Sequence, residues 1–272
     1  MSTPRIAYDI IGDIAIVKRT PGFQADATEI ARKIVAANKH VRTVLLQVTP
    51  VLGEYRTRAL EWILGEKKTE TVHREHGCQF KVDLAKAYFS PRLLYERIRV
   101  ARKVTPSETV INMFAGVGCF SIIIAKYSQA SKVFSIDINP EAIRYMFENV
   151  LLNKVAGRVS TILGDSRAIT ELHLTARADR VLMPLPAMAV TYLDAAILAL
   201  KPKLGSIHIY DFVHANKTED PLQKTFDKIA PKLSQFELSV IRKDMRIVRT
   251  IGPNWYQTVV DLTLEMPSTT SL

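Results

Sequence analysis

Glu96 stands on one candidate helix face with Arg92, Arg99 and Lys103, at spacings of four, three and four residues. A carboxylate ringed by cations stays ionised, which suits a proton acceptor held beside a polyanion, although the same cations weaken it as a base. The plainer reading of the pattern is a solvated face whose Arg92–Glu96 ion pair is worth roughly a few tenths of a kcal/mol. A second constellation lies downstream. The stretch "VINMFAGVGCF" runs an apolar strand into Gly116-x-Gly118 and then a helix, a turn in which glycine permits positive φ and lets a ligand approach the backbone. By itself such a turn is also an ordinary strand-to-helix connection. Asp137, twenty-one residues after Gly116, ends the next strand in "FSIDINP", where a carboxylate accepts hydrogen bonds from a ribose diol. Its alternative role is to cap the helix opening at Pro140, for which Asn139 is also suited.

Asp165 in "ILGDSR" and Pro184 in "RVLMPLPAM" follow the third and fourth strands of the same run. Ligands of open α/β sheets bind at the carboxyl ends of strands, so Gly116, Asp137, Asp165 and Pro184 converge on one crevice. The third glycine of a dinucleotide fingerprint is replaced by Ser121. That glycine serves close packing under a pyrophosphate, so its loss favours S-adenosylmethionine over a nicotinamide dinucleotide.

The elements that must position these residues fall into three segments. Residues 1–90 read as a small α+β module: "YDIIGDIAIV" and "EHGCQFKVDLAKAYF" as hairpins, "TEIARKIVAANK" as a helix and "RTVLLQV" as a strand. Residues 91–107 form a connecting helix, with Ser90 as N-cap, Pro91 as first helical residue and Leu94, Ile98 and Ala101 as its apolar stripe. From 108 to 272, strand and helix alternate, which argues a parallel sheet with helices on both faces. "FELSVIRKDMRIV" and "WYQTVVDLTLE", joined by Gly252-Pro253-Asn254, break that rhythm and suggest an antiparallel hairpin closing one edge. A late hairpin on a parallel sheet is the pattern of Rossmann-like, class I S-adenosylmethionine-dependent methyltransferases.

Composition sets outer bounds. The 272 residues are 47% apolar and carry a formal charge of +10, an excess that favours polyanionic partners. Two cysteines, Cys78 and Cys119, are too few for a disulfide framework and point to a reducing, cytoplasmic setting. No apolar run approaches the roughly 18 residues that span a bilayer, so no membrane is expected. His73-x-x-His76 lacks a second metal-ligand pair nearby and reads as part of a hairpin, so no metal is expected.

The stretches "GEYRTR", "EHGCQFKVDLAKAYFSPRLLYERIRVA", "NMFAGVGCFSI", "IDINP", "LLNKV" and "ADRVLMPLPAMAVTYLDAA" together resemble the archaeal and eukaryotic tRNA (guanine-37-N1)-methyltransferase family, from about Tyr8 to the C-terminal hairpin. The resemblance implies methyl transfer from S-adenosylmethionine to N1 of the guanosine 3′ of the anticodon. Glu96 would take the N1 proton, and Arg56, with Arg58 two residues on, would stabilise charge on O6. The cofactor contacts it implies are Tyr88, Phe89, Arg92, Phe114, Ala115, Gly116, Gly118, Asp137, Ile138, Asp165, Ser166, Pro184 and Pro186. The implied partner is the tRNA anticodon stem-loop, bound by a monomer. Near relatives methylate the tricyclic wyosine precursor or transfer an aminocarboxypropyl group. The latter tend to lose the arginine of "FSPR", so Arg92 favours methyl transfer. A catalytically silent RNA-binding module would need none of Gly116, Gly118, Asp137 and Asp165. Pro184 stands where relatives have Asn, Asn112 where they have Asp, and Cys119 where many have Pro. Many members also open with a separate small domain that grips the outer corner of the tRNA. The quoted motifs begin in the module after it, which predicts weaker dependence on the whole tRNA fold.

Overall fold

The computed structural model describes residues 7–18, 26–186 and 188–266. The polar tail from 267 to 272 lies outside them. In chain order the elements open with β1 (Tyr8–Ile11), β2 (Ile14–Lys18), α1 (Ala27–Ala37), β3 (Thr43–Gln47), β4 (Leu60–Gly65), β5 (Glu70–Glu75) and β6 (Cys78–Asp83). A 3₁₀ turn, Pro91–Leu93, leads into α2 (Leu94–Lys103), β7 (Thr109–Asn112), α3 (Cys119–Tyr127), β8 (Lys132–Asp137), α4 (Pro140–Leu152) and β9 (Val159–Leu163). A short α5 (Ser166–Ile169) runs into a π turn, Thr170–Leu174. There follow β10 (Arg180–Met183), α6 (Leu193–Ala199), β11 (Leu204–His214), α7 (Pro221–Leu233), β12 (Ser239–Gly252) and β13 (Trp255–Glu265).

The chain divides into two compact units. One holds the chain as far as Tyr95 with Gly116–Cys119 and Asn139–Lys154; the other holds Glu96–Ala115, Phe120–Ile138 and everything from Val155.

In the first unit, β1 to β4 form a four-stranded sheet in sequence order, and β5 pairs with β6 alone. Asp26 caps α1 by accepting from Thr28 N–H, and Ile30 and Ile34 bury one face of that helix with Val17, Val44 and Leu46. The free edge of β6 is completed by side chains. Asn149 on α4 accepts from Lys81 N–H at 2.7 Å and donates to Lys81 O at 3.0 Å. Asn153, one helical turn on, does the same for Gln79 at 2.9 and 2.7 Å. Two amides at i and i+4 thus stand in for a missing strand. The hairpin read as "EHGCQFKVDLAKAYF" is displaced: it spans Glu70 to Asp83 about a turn at His76-Gly77, and residues 84–89 are not strand. β4, "LEWILG", went unread because its exposed Glu61 and Trp62 break the alternation a half-buried strand should show.

In the second unit, seven strands lie in the order β12-β13-β11-β10-β7-β8-β9. β7 to β11 are parallel, and β13 joins antiparallel to both β11 and β12, so the hairpin closes one edge as its sequence suggests. Strand order reverses between β7 and β10, which creates the switch point where parallel sheets hold ligands. Val110, Ile111, Val181 and Leu182 are fully buried, which accounts for the unbroken apolar runs of these central strands. The helix read over "AVTYLDAAILAL" is shorter than its periodicity. It begins at Leu193 because Leu185 O accepts from Met188 and Ala189 N–H and bends the preceding residues into turns.

Candidate active site

Within the second unit, α2 buries Glu96, Arg97, Val100 and Ala101, and Glu96 is only 2% exposed. The expected stripe of Leu94, Ile98 and Ala101 is therefore rotated. A polar face goes inward because every charge on it finds a partner. Glu96 Oε1 accepts from Arg99 Nη2 at 2.6 Å and from the Tyr210 hydroxyl at 2.7 Å. Its Oε2 accepts from Arg99 Nε at 2.9 Å and from Arg246 Nη1 at 2.7 Å. The ion pair with Arg92 and the solvated face do not occur. Ser90 precedes the first turn in extended conformation without a capping side-chain hydrogen bond, and the α-helix proper starts after the 3₁₀ turn.

The polar chain continues beneath the helix. Arg99 also donates to Asp261 of β13, as does Lys103 at 2.9 Å. Asp261 accepts in turn from His208 Nδ1 at 2.6 Å. His208 Nε2 lies 2.8 Å from Arg180 Nη1, and Arg180 is held by Glu108 at 2.7 and 2.9 Å. An arginine only donates, so Nε2 is the bare nitrogen and Nδ1 carries the proton. Burial pushes His208 below its ordinary value, against the pull of Asp261 and with repulsion from Arg180 and Arg99. Burial alone would raise Asp261, but hydrogen bonds from His208 and Arg99 hold it well below the usual carboxylate range. Burial together with the neighbouring Glu96 charge raises the Tyr210 phenol, so that hydroxyl stays a donor. Tyr210 also fixes where Glu96 lies: it follows Ile209, which pairs with Met183, and so stands level with Pro184 at the carboxyl rim of β10.

The other rim residues of this unit have differing commitments. Asp165 caps α5 by accepting from Arg167 and Ala168 N–H at 3.0 Å, and its second oxygen accepts from the Tyr192 hydroxyl. Ser166 donates to Met113 O at the exit of β7. Both tie the rim together. Phe114 packs edge-on against Tyr192 at 5.2 Å, and Ala115 N–H donates to Ile136 O. Asp137 ends β8, and its carbonyl accepts from Gly164 N–H at 3.0 Å. Ile138 is half-buried. Pro184 is half-buried beyond the last residue of β10, and Pro186 is buried.

The remaining candidates belong to the first unit. Gly116 and Gly118 have φ of +56° and +90°, a region that side chains rarely adopt. A Cβ on Gly116 would meet only Tyr88 O, at 3.8 Å, so conformation and not crowding requires the glycine. Asn139 caps α4 by accepting from Glu141 N–H, with Pro140 following, which relieves Asp137 of that duty. Tyr88 is 37% exposed, whereas Phe89 is buried edge-on against His73. Arg92 pairs with Asp9 at 2.6 Å, and Asp9, despite burial, is lowered by Arg92 and Lys18. Arg56 occupies a tight turn at φ +54°. Burial lowers Arg58 against the raising influence of Tyr88 and Asp9; it donates to Gln47, and its Nη2 is buried with no partner among the described residues.

Sequence reading missed Tyr192, His208, Tyr210, Arg246 and Asp261. Asp261 had a signal: a lone carboxylate inside the apolar run "VVDLTL". Among the described residues, no acid, cysteine and histidine cluster could hold a metal ion, and no helix is long and apolar enough to cross a membrane.

Residues 71–241 match the TRM5/TYW2 methyltransferase domain, and residues 4–69 match the TYW2 N-terminal domain. A "tRNA (guanine(37)-N(1))-methyltransferase Trm5b" of Pyrococcus abyssi is 43% identical over 255 residues, 94% of this chain and 74% of that protein. A "tRNA 4-demethylwyosine(37)-methyltransferase Taw21" of Saccharolobus solfataricus is 39% identical, over 93% of this chain and 92% of its own. A "tRNA(Phe) (4-demethylwyosine(37)-C(7)) aminocarboxypropyltransferase" of Methanocaldococcus jannaschii is 37% identical over 96% and 98%. The crystal structure of Pyrococcus abyssi Trm5b superposes with a TM-score of 0.83 at 41% identity, covering 95% of this chain and 74% of that one. "The complex structure of aTrm5 and tRNALeu" gives 0.78 at 34% identity, over 97% and 72%. M. jannaschii TYW2 in complex with AdoMet gives 0.72 at 29% identity, over 96% and 100%.

Proposed function

The chain belongs to the TRM5/TYW2 methyltransferase family, and on that premise we propose that it methylates N1 of guanosine 37 in tRNA, using S-adenosylmethionine. The observation that supports this most directly is Glu96, an ionisable group 2% exposed, fixed as an acceptor at the level of the sheet's carboxyl rim. Guanine N1 carries a proton and attacks only once it is lost, so a positioned carboxylate is the group the chemistry needs. Glu96 takes that proton. Arg56 stabilises the negative charge that gathers on O6.

S-adenosylmethionine, when bound, supplies a methyl group on a sulfonium, which departs as a neutral thioether. Gly116 and Gly118 would let it approach the backbone, and Asp137 would take the ribose hydroxyls. Phe114, Ala115, Ile138, Pro184 and Pro186 would hold it from the strand ends, and Tyr88 would offer it an aromatic ring. Asp165 and Ser166 would contact it from the rim, which they also hold in shape. Phe89, buried against His73, and Arg92, paired with Asp9, anchor the segment that carries Tyr88. The protein acts on the anticodon stem-loop as a cytoplasmic monomer.

A second reading, methylation of the tricyclic wyosine precursor at the same position, is favoured by Pro184, which has no amide to hydrogen-bond guanine. Mass spectrometry of anticodon-loop nucleosides, after incubation with cofactor and either unmodified or precursor-bearing tRNA, separates the two. Formation of 1-methylguanosine supports the first; product only from the precursor overturns it. In the same assay Glu96→Gln should lower the single-turnover rate by about 10²–10⁴ while S-adenosylmethionine affinity stays near normal. Unchanged turnover removes Glu96 from the mechanism.

A further inference from the structure

Glu96 has no lone pair to spare. Oε1 takes hydrogen bonds from Arg99 and Tyr210, and Oε2 from Arg99 and Arg246, whereas an ionised carboxylate offers about four acceptor positions. A base with a full acceptor shell receives no proton until a donor leaves. Three of the four bonds come from groups that are pinned. Arg99 is also held by Asp261, and Tyr210 is 1% exposed.

Arg246 differs. It projects from β12, the outermost strand of the sheet, and its side chain is 43% exposed. Among the described residues Glu96 is its only charged partner. The other cations of the strand have different attachments: Arg242 lies 3.0 Å from Asp244, Lys243 sits over the Phe226 ring at 3.8 Å and Arg249 donates to Gln257 at 2.7 Å. The groups facing Glu96 are thus Arg99 from its own helix, Tyr210 from β11 and Arg246 from β12, with Asp261 and Lys103 behind Arg99. Only Arg246 can reach solvent without breaking a second contact.

We propose that Arg246 is a substrate-operated latch on Glu96: a phosphate of the bound RNA draws the guanidinium away and vacates Oε2. This rests on the reading of Glu96 as proton acceptor for a nucleic acid. The guanidinium stays protonated throughout. Its N–H···Oε2 bond breaks and an N–H···O–P bond forms; the N1 proton then moves to Oε2, and its electron pair remains on the purine ring. Oε2 is thereby open to the proton only when RNA is present.

The test is the ¹³C-carboxyl chemical shift of Glu96 at one fixed pH in the full chain, as wild type, Arg246→Gln and Arg246→Lys, with and without an anticodon stem-loop RNA. RNA affinity is followed against salt in parallel. RNA should move the wild-type Glu96 carboxyl resonance as its hydrogen bond from Arg246 is lost. Arg246→Gln should start at the RNA-bound position and gain nothing from RNA, and Arg246→Lys should regain the response. The salt slope of log affinity should become shallower by about one in Arg246→Gln. If RNA binds and the Glu96 resonance does not move, or moves equally in Arg246→Gln, the latch is overturned while the methyltransferase reading stands. If wild type binds no RNA, that reading fails and takes the latch with it.

Discussion

Arg99 bridges Glu96 and Asp261, donating through Nε and Nη2 to the first and through Nη1 and Nη2 to the second. A helix residue is thereby fixed from below by a strand residue 162 positions away in the chain. Raising of Arg99 above its ordinary value, against the opposing effect of burial, reflects these two carboxylates. The guanidinium is permanently charged and rigidly placed, so Glu96 keeps its rotamer even while other partners change.

Asp261→Asn keeps the volume and one acceptor oxygen but removes the charge that Arg99 and Lys103 face. Breaking a buried pair from one side costs about 3–5 kcal/mol, and urea denaturation should register a loss of that order. Glu96 should lose its fixed position as well, lowering kcat by about 10- to 100-fold with little change in KM for tRNA. A variant with wild-type kcat would show that Arg99 needs no support from Asp261.

Stability should fall as the pH drops from neutral. The ordinary value for His208 is 6.5, and burial lowers it in the fold. Below about 6.5 the unfolded chain therefore takes up a proton that the folded chain refuses, and stability declines by up to about 1.4 kcal/mol per pH unit. Asp261, lowered from 3.8, adds stability that is present above that ordinary value and lost as the pH falls through its folded value. Denaturation midpoints between pH 7.5 and 5 should show the first effect, and His208→Gln should flatten it. An equal slope in the variant would mean that other groups carry the dependence.

The alternating β-α pattern, the late hairpin and the Gly116-x-Gly118 turn were legible because each is written in contiguous residues. Asn139 and Asp137 could be told apart by position relative to Pro140, and the cap lies on Asn139. The face of α2 was not legible. Periodicity left Glu96 open between a solvated face and a proton acceptor, because two of the groups that hold it inside, Tyr210 and Arg246, arrive from strands more than a hundred residues later. Asp165 was legible as a residue at a strand end, but its cap on α5 and its hydrogen bond from Tyr192 were not, because Tyr192 lies 27 positions on in the chain.

Asn149 tests the side-chain edge of β6. It is fully buried, and it serves Lys81 N–H, Lys81 O and Val117 O. Asn149→Ala would leave three backbone groups without partners, each worth about 1–3 kcal/mol when buried. A stability loss of about 3 kcal/mol or more is expected by chemical denaturation. Glu148→Ala, next to it on the exposed side, should change stability by less than about 1 kcal/mol. Equal losses would mean that the amide bridge carries no special weight.

Pro184 offers the sharpest probe of which base the protein takes. It follows Met183, the last residue of β10, and its ring removes both the backbone N–H and any side-chain donor there. Pro184→Asn restores an amide to the rim, and one net hydrogen bond of about 1 kcal/mol changes a ratio of rates about fivefold. The ratio of 1-methylguanosine to methylated tricyclic product, from a mixture of the two tRNAs, should therefore rise about fivefold. Pro184→Ala separates the causes, since it restores the N–H and relaxes the backbone without supplying the amide. If Ala and Asn shift the ratio equally, loop rigidity and not hydrogen bonding sets the choice; if neither shifts it, Pro184 does not read the base at all.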